Sequence, residues 1–264
     1  MALWTFFGLA SGKATTHWPH KGDDHGQHGV LGMPRYVPDA CRAGCADCAA
    51  ACPSGAIVAA EDGKGIALDY GRCVACQLCT EACPATALQP SGDWAFGVRA
   101  RDDLRWVADR PVASQGGRLP TGFRRSLHIR HVDAGSCNGC ESELQALNNP
   151  FYNLHRLGIF FTASPRFADL LLVTGVVTEP MLAPLKATYE AMPKPCWVMA
   201  AGTCAVSGGV CCGGCNAGHG LEGVLPVDFW LPGCPPNPAA IIEALLAFAG
   251  RLPQRVRGGH CDGR

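Results

Sequence analysis

Eight cysteines stand between positions 41 and 83 in two successive runs, each closed by Cys-Pro. The second run reads Cys73-Val74-Ala75-Cys76-Gln77-Leu78-Cys79-Thr80-Glu81-Ala82-Cys83-Pro84, a C-x2-C-x2-C-x3-C-P spacing. That spacing wraps three thiolates around one face of an iron–sulfur cube and sends the fourth to a second cube. It marks an electron carrier before any fold is known. The first run, Cys41, Cys45, Cys48 and Cys52-Pro53, forms an internal repeat with it. Ser54-Gly55-Ala56-Ile57 and Ala85-Thr86-Ala87-Leu88 follow the two prolines in parallel.

With 17 cysteines in 264 residues, the chain is either a secreted disulfide scaffold or a metal binder. Met1–Ala10 is apolar but has no basic flank and no twin-arginine start, so no export signal is expected. In a reducing compartment disulfides are rare, which leaves metal ligation. The same stretch is about half of the roughly 20 apolar residues that span a bilayer. It can lie on a membrane surface, pack on a partner or be buried as a terminal segment. The 22 basic and 22 acidic residues balance, which argues against the basic surface of a nucleic-acid binder.

Five segments follow. Residues 1–36 are an N-terminal arm, rich in Gly, His and Pro from 11 onward, and 37–92 carry the eight cysteines. Residues 93–125 hold Arg99, Arg101, Arg105, Arg110, Arg118, Arg124 and Arg125 among Gly and Pro. They read as a linker and docking surface, with a short helix near 102–108. Residues 126–252 alternate strand and helix patterns, and 253–264 form a tail. Strands are expected at 127–132, which alternates, at 169–175, a continuous apolar run, at 196–200, and at 224–231, weakened by Pro226. Helices are expected at Met181–Ala191 and after Asn237-Pro238, where Ile241, Ile242, Leu245, Leu246 and Phe248 form the apolar face and Gly250 the stop. The alternation implies a parallel sheet.

Four more cysteines fall in the loops after those strands. Cys137-Asn138-Gly139-Cys140 follows the first, Cys204 the third and Cys234 the last. Loops at the carboxyl ends of parallel strands converge on one crevice. Four thiolates meeting there can hold another cube. Gly139, Gly202 and Gly233 let the backbone approach the sulfurs and offer them N–H donors. Singly, each cysteine reads as a buried apolar residue; together they predict a cluster.

The cysteine-rich region resembles the bacterial two-cluster ferredoxins over about 55 residues. By that resemblance Cys41, Cys45, Cys48 and Cys83 hold one [4Fe–4S] cluster, and Cys52, Cys73, Cys76 and Cys79 the other. One departure is the additional residue in Arg42-Ala43-Gly44, which Gly44 is expected to absorb through an unusual backbone angle. Structural zinc also uses four-cysteine sites, but does not need eight cysteines in this interleaved order. Asp133-Ala134-Gly135-Ser136-Cys137-Asn138-Gly139-Cys140, the loop from Gly202 to Gly209 and the Pro232–Pro238 stretch are similar to the small subunit of membrane-bound, energy-converting [NiFe] hydrogenases. They are also similar to the proximal-cluster subunit of respiratory complex I. This similarity runs from about Arg124 to Phe248. The N-terminal part, including Lys13-Ala14-Thr15-Thr16 and Trp18-Pro19, is similar to the two-cluster subunit of the same complexes.

The resemblance implies an α+β two-cluster ferredoxin-like domain followed by an α/β domain with a parallel sheet, flavodoxin-like and of hydrogenase small-subunit type. It implies a proximal cluster on Cys137, Cys140, Cys204 and Cys234, hence three [4Fe–4S] clusters, and no catalytic residue in this chain. The implied partners are a [NiFe] large subunit, membrane-embedded subunits, and an external donor or acceptor, either a ferredoxin or a formate-oxidising subunit. The implied place is the cytoplasmic face of the inner membrane. The C-x2-C pair favours the hydrogenase type, because the complex I subunit carries two adjacent cysteines there. The equivalent subunit of a quinone or ferredoxin oxidoreductase without nickel is the alternative. A free-standing ferredoxin-type carrier is a third reading.

Glu141 and Glu143 follow the ligand pair directly and are candidates for the subunit interface or for proton transfer. Cys212-Gly213-Gly214-Cys215, with Cys211 beside it, is a further C-x2-C in a Gly-rich loop that the resemblance leaves without ligands. Cys196 reads as core. His17, His20, His25 and His28, with Asp23 and Asp24, read as a solvated arm rather than a metal site.

Overall fold

A computed structural model describes residues 3–11, 30–60, 65–107, 110–111, 122–123 and 125–254. It opens with α1 (Leu3–Ser11). The cysteine-rich region is β1 (Arg35–Tyr36), α2 (Asp47–Ala50), β2 (Ile57–Ala59), β3 (Ile66–Asp69), α3 (Leu78–Glu81) and β4 (Leu88–Gln89). Next come β5 (Arg105–Val107) and β6 (Arg110–Pro111). The remainder is β7 (Leu127–Asp133), α4 (Gly139–Ala146), β8 (Ile159–Phe161), β9 (Leu170–Thr174), α5 (Glu179–Glu190), β10 (Trp197–Ala201), α6 (Thr203–Ser207), β11 (Phe229–Leu231) and α7 (Pro238–Phe248).

The sequence repeat becomes a structural repeat. Each half supplies a four-residue helix bearing its third cysteine, Cys48 or Cys79. A short strand follows each Cys-Pro; β2 pairs with β3 and β4 with β1, both antiparallel. Helices this short are not stable alone, so their stability comes from packing, α2 against α3.

The expected helix near 102–108 is instead one 3-10 turn, Arg101–Leu104, passing into β5. Strands β5 and β6 extend the β2–β3 ribbon to four strands. Upstream, Trp94, Ala95, Phe96 and Val98 are buried. Val98 exchanges two backbone hydrogen bonds with Trp230, at 2.9 and 2.7 Å. Arg101 is no docking residue. Its guanidinium holds Asp69 bidentately at 2.8 and 2.7 Å, with the two side chains 10% and 18% exposed.

The α/β part is a five-stranded parallel sheet in the order β8-β7-β9-β10-β11. Counted within this part that is 2-1-3-4-5, the flavodoxin-like order. Every residue of β9 and β10 is buried, as a parallel sheet covered on both faces requires. Leu171, Val173, Val198, Ala200 and Trp230 face a core shared with Tyr36, Ile66, Tyr70 and Phe96 of the preceding region. Leu170, Leu172, Trp197, Met199, Phe229 and Leu231 face a second core with α7.

Strand β11 is shorter than its apolar run because it begins only after Pro226, which has no N–H for the ladder. Helix α7 is buried along its whole length rather than on one face. Phe123 stacks on Phe248 at 6.2 Å. Gly97 runs so close to the helix that a Cβ there would meet Ala244 at 3.0 Å. In α1 the side chains of Leu3, Phe6, Phe7 and Leu9 are exposed, so the buried-terminus alternative falls. Among the described residues no helix is long and apolar enough to cross a membrane. The histidine-rich arm, Lys13–Thr16, Arg118, Arg124 and Cys261 lie outside the described residues.

Candidate metal centres

The thiols of the cysteine-rich region line two cavities. Cys41, Cys45, Cys48 and Cys83 line one, with Tyr36 and Ile66. Cys52, Cys73, Cys76 and Cys79 line the other, with Ile57 and Leu68. Three cysteines of each run thus meet the fourth of the other run. Helices α2 and α3 pack together, so the cysteine beyond each helix reaches the opposite cavity. Gly44 stands at φ +75 with open space where a Cβ would be. The additional residue is taken up in a turn, Cys45 N–H to Arg42 O at 3.3 Å, and both flanking cysteines still reach one cavity.

Backbone N–H groups aim at the sulfurs in matching places. Ala56 donates to Cys52 Sγ and Ala87 to Cys83 Sγ, both at 3.2 Å, and Ala75 to Cys73 Sγ at 3.4 Å. Burial pushes the Cys73 thiol up to about 12 and the Cys79 thiol up to about 11, with neighbouring thiols adding to each. Burial also pushes Cys83 up, but the N–H groups of Leu88, Ala85, Ala87 and Thr86 outweigh it and leave that thiol below its ordinary value. Thiolates crowded into dry cavities need a positive charge among them, which is what bound iron supplies. Among the described residues no three Cys, His, Asp or Glu side chains gather closely enough to share one ion.

The other four cysteines gather at the carboxyl end of the parallel sheet. Cys137 lies in the turn from β7 into α4, Cys140 in the first turn of α4, Cys204 in α6 after β10, and Cys234 follows β11. Burial raises Cys140, and then Glu141, Cys204, Cys234 and Cys137 raise it further. Burial raises Cys204 to about 11, with Cys234, Cys211 and Cys137 adding to it. Cys137 and Cys234 are exposed while Cys140 and Cys204 are half-buried, so this group has an open side. Gly202 is dictated by the site. It sits at φ +92, and a Cβ on it would lie 2.7 Å from Cys140 Sγ. The residues therefore fit a bulky sulfur-ligated group.

Glu141 is held by its neighbours. It accepts from Ser136 Oγ at 2.6 Å and from Thr174 Oγ1, and its Oε1 lies 3.7 Å from His131 Nε2. Burial lowers the His131 pKa, ahead of the opposing pull of Glu141. Glu143 is half-buried, and burial raises its carboxyl pKa. Sequence reasoning missed His131 and Thr174 because they come from adjacent strands. Cys212 Sγ lies 2.8 Å from His219 Nδ1. Cys196 sits at the margin of the core rather than inside it, taking a hydrogen bond from Lys194 Nζ at 3.0 Å.

The model of the NADH ubiquinone oxidoreductase, 20 Kd subunit, family matches residues 137–248. The probable membrane-bound hydrogenase subunit mbhJ of Pyrococcus furiosus is 40% identical over 134 residues, covering 51% of this chain and 80% of that protein. This chain belongs to the 20 Kd subunit family. A 4Fe-4S dicluster domain model matches residues 33–88, ahead of the family's own domain. Formate hydrogenlyase subunit 7 of Escherichia coli is 37% identical over 150 residues, 57% of this chain and 59% of that protein. An NADH-quinone oxidoreductase subunit of Citrifermentans bemidjiense is 43% identical over 113 residues, 43% of this chain and 66% of that protein. As a 20 Kd subunit with a dicluster domain, the chain is an iron–sulfur electron-transfer subunit of an oxidoreductase, and its cofactor type is [4Fe–4S].

Proposed function

We propose that this chain carries electrons between a [NiFe] large subunit and an external donor or acceptor in a membrane-bound hydrogenase of the energy-converting, formate hydrogenlyase-like type. Three [4Fe–4S] clusters would be held by Cys41, Cys45, Cys48 and Cys83; by Cys52, Cys73, Cys76 and Cys79; and by Cys137, Cys140, Cys204 and Cys234. The single observation that carries this reading is the sorting of these cysteines into three groups of four, two around cavities and one at the carboxyl end of a parallel sheet.

When bound, each cluster supplies one-electron storage at a potential the protein sets. The chain's own residues do the setting. N–H donors to Cys52, Cys73 and Cys83 favour the more negative, reduced state, and burial of Cys48, Cys73 and Cys79 opposes it. The exposed Cys137 and Cys234 give the third group a face for the large subunit, and Glu141 and Glu143 lie beside that face. The apolar side of α1 suits attachment to membrane-embedded subunits or lipid at the cytoplasmic face of the inner membrane. The relatives named as a membrane-bound hydrogenase subunit and a formate hydrogenlyase subunit support the hydrogenase reading. The family description supports the alternative, a complex I-like oxidoreductase without nickel.

Anaerobic purification of the intact complex tests both. About twelve irons per chain, nickel in the partner large subunit and hydrogen evolution are expected. Iron without nickel selects the alternative, and zinc in place of iron ends both.

A further inference from the structure

Thr203 is 1% exposed and sits where the two halves of the chain meet. Its Oγ1 donates to the carbonyl of Cys73 at 2.9 Å and accepts from the N–H of Gly233 at 3.0 Å. Its own N–H donates to Gly233 O at 2.8 Å. Thr203 immediately precedes Cys204, and Gly233 immediately precedes Cys234. One hydroxyl therefore touches the backbone at or beside three of the proposed ligands, one from the ferredoxin-like region and two from the α/β part. Four residues on, along the same face of α6, Ser207 Oγ donates to Gly71 O at 3.0 Å. No comparable bridge leads to the group formed by Cys41, Cys45, Cys48 and Cys83 among the hydrogen bonds of the described residues.

We propose that Thr203 is a positioning residue for electron transfer, its hydroxyl fixing the gap between the site of Cys137, Cys140, Cys204 and Cys234 and the site of Cys52, Cys73, Cys76 and Cys79. The inference rests on the iron–sulfur reading of both sites. In the step it serves, one electron leaves one site, which is oxidised, and enters the other, which is reduced. No bond forms or breaks, and no proton moves through Thr203, whose donor and acceptor roles are the same before and after. A hydroxyl with one donor and one acceptor engaged holds both loops in register, which an apolar side chain of equal size cannot do. The halves also meet independently through Val98 and Trp230 and through the shared core, so loss of this hydroxyl alone leaves them docked.

Thr203→Val and Thr203→Ser in the intact complex test this. Iron per chain, spin–spin interaction between the two reduced sites by electron paramagnetic resonance, amide exchange at Gly233, and the rate of reoxidation are measured. Thr203→Val is expected to keep full iron and to lose protection at Gly233. It should also change the inter-site spin coupling and slow electron transfer by about tenfold or more, as changes around metal ligands do. Thr203→Ser restores all three. Unchanged coupling and rate in Thr203→Val at full iron overturns the proposal. So does failure of serine to rescue. Unmodified protein holding far fewer than about twelve irons overturns the iron–sulfur reading itself, and the bridge's electronic role with it.

Discussion

Gly202→Ala is the substitution whose cost can be worked most directly. Gly202 lies at φ +92 and ψ +148, near a region that only glycine occupies readily. Forcing a side chain there costs about 1–3 kcal/mol. The added Cβ would lie 2.7 Å from Cys140 Sγ, well inside ordinary contact. Overpacking of that kind costs about 1–3 kcal/mol more. A free thiol can rotate away from the new methyl; a thiolate bonded to iron cannot. The backbone strain burdens the chain with or without metal, while the overpacking of about 1–3 kcal/mol falls on the metal-loaded state alone, against a total stability of about 5–15 kcal/mol. Iron per chain after anaerobic purification is the assay, and loss of about a third of the iron is expected, from the third site alone. Gly139→Ala is the control. Its Cβ would meet nothing closer than Cys137 Sγ at 3.5 Å, and alanine favours the first turn of α4. Full iron and an unchanged third-site spectrum in Gly202→Ala would falsify the placement of Cys140 as a ligand.

Arg101→Met strands the Asp69 carboxylate in a largely buried site, so a loss of about 3–5 kcal/mol in denaturant unfolding is expected; a change under 1 kcal/mol would mean that water reaches the pair. Asn237 Oδ1 caps α7 through the Ala240 N–H at 2.8 Å, and Asn237→Ala is expected to cost about 1 kcal/mol in urea unfolding without altering iron content. Cys73→Ser is expected to remove one cluster, about four irons per chain, whereas Cys212→Ser and Cys215→Ser leave the iron count whole. Iron loss in the latter pair would bring the Gly-rich loop into the ligand set.

Much of this architecture is legible in the sequence because sulfur spacing is a local code. Each cysteine run and the turn at Gly44 lie within about a dozen positions, whereas the exchange of fourth cysteines between the runs is implied by the resemblance. Strands β7, β9 and β10 are legible from alternation or from an unbroken apolar run. What stays hidden depends on distant partners. Trp94, Ala95, Phe96 and Val98 sit among Gly, Pro and Arg and show no period until the edge of β11 and the core receive them. Helix α4 buries little beyond Leu144, so its apolar pattern is too thin to read. Helix α7 looks one-sided because the segments covering its second face come from more than a hundred residues upstream. The Glu141 cradle joins a loop to two strands and has no linear signature.

A chain that passes electrons between sites needs fixed gaps, because a hop weakens steeply as its sites separate. Two subunits docked side by side set such a gap by an association equilibrium. Here one core runs from Tyr36, Ile66 and Tyr70 through Phe96 to Val173, Val198 and Ala200 of the parallel sheet. Close-packed interiors yield little to thermal motion, so the Cys73 loop and the Cys204 and Cys234 loops are carried on one packed body. The segment that looked like a tether is part of that packing. Phe96 contacts Tyr70 at 4.8 Å between ring centres, and two residues later Val98 is bonded to the sheet. Packing at the join and exposure of Cys137 and Cys234 are complementary. On the proposed reading, the spacing inside the chain would come from its own packing, and the open side at Cys137 and Cys234 would be left for a partner subunit to cover.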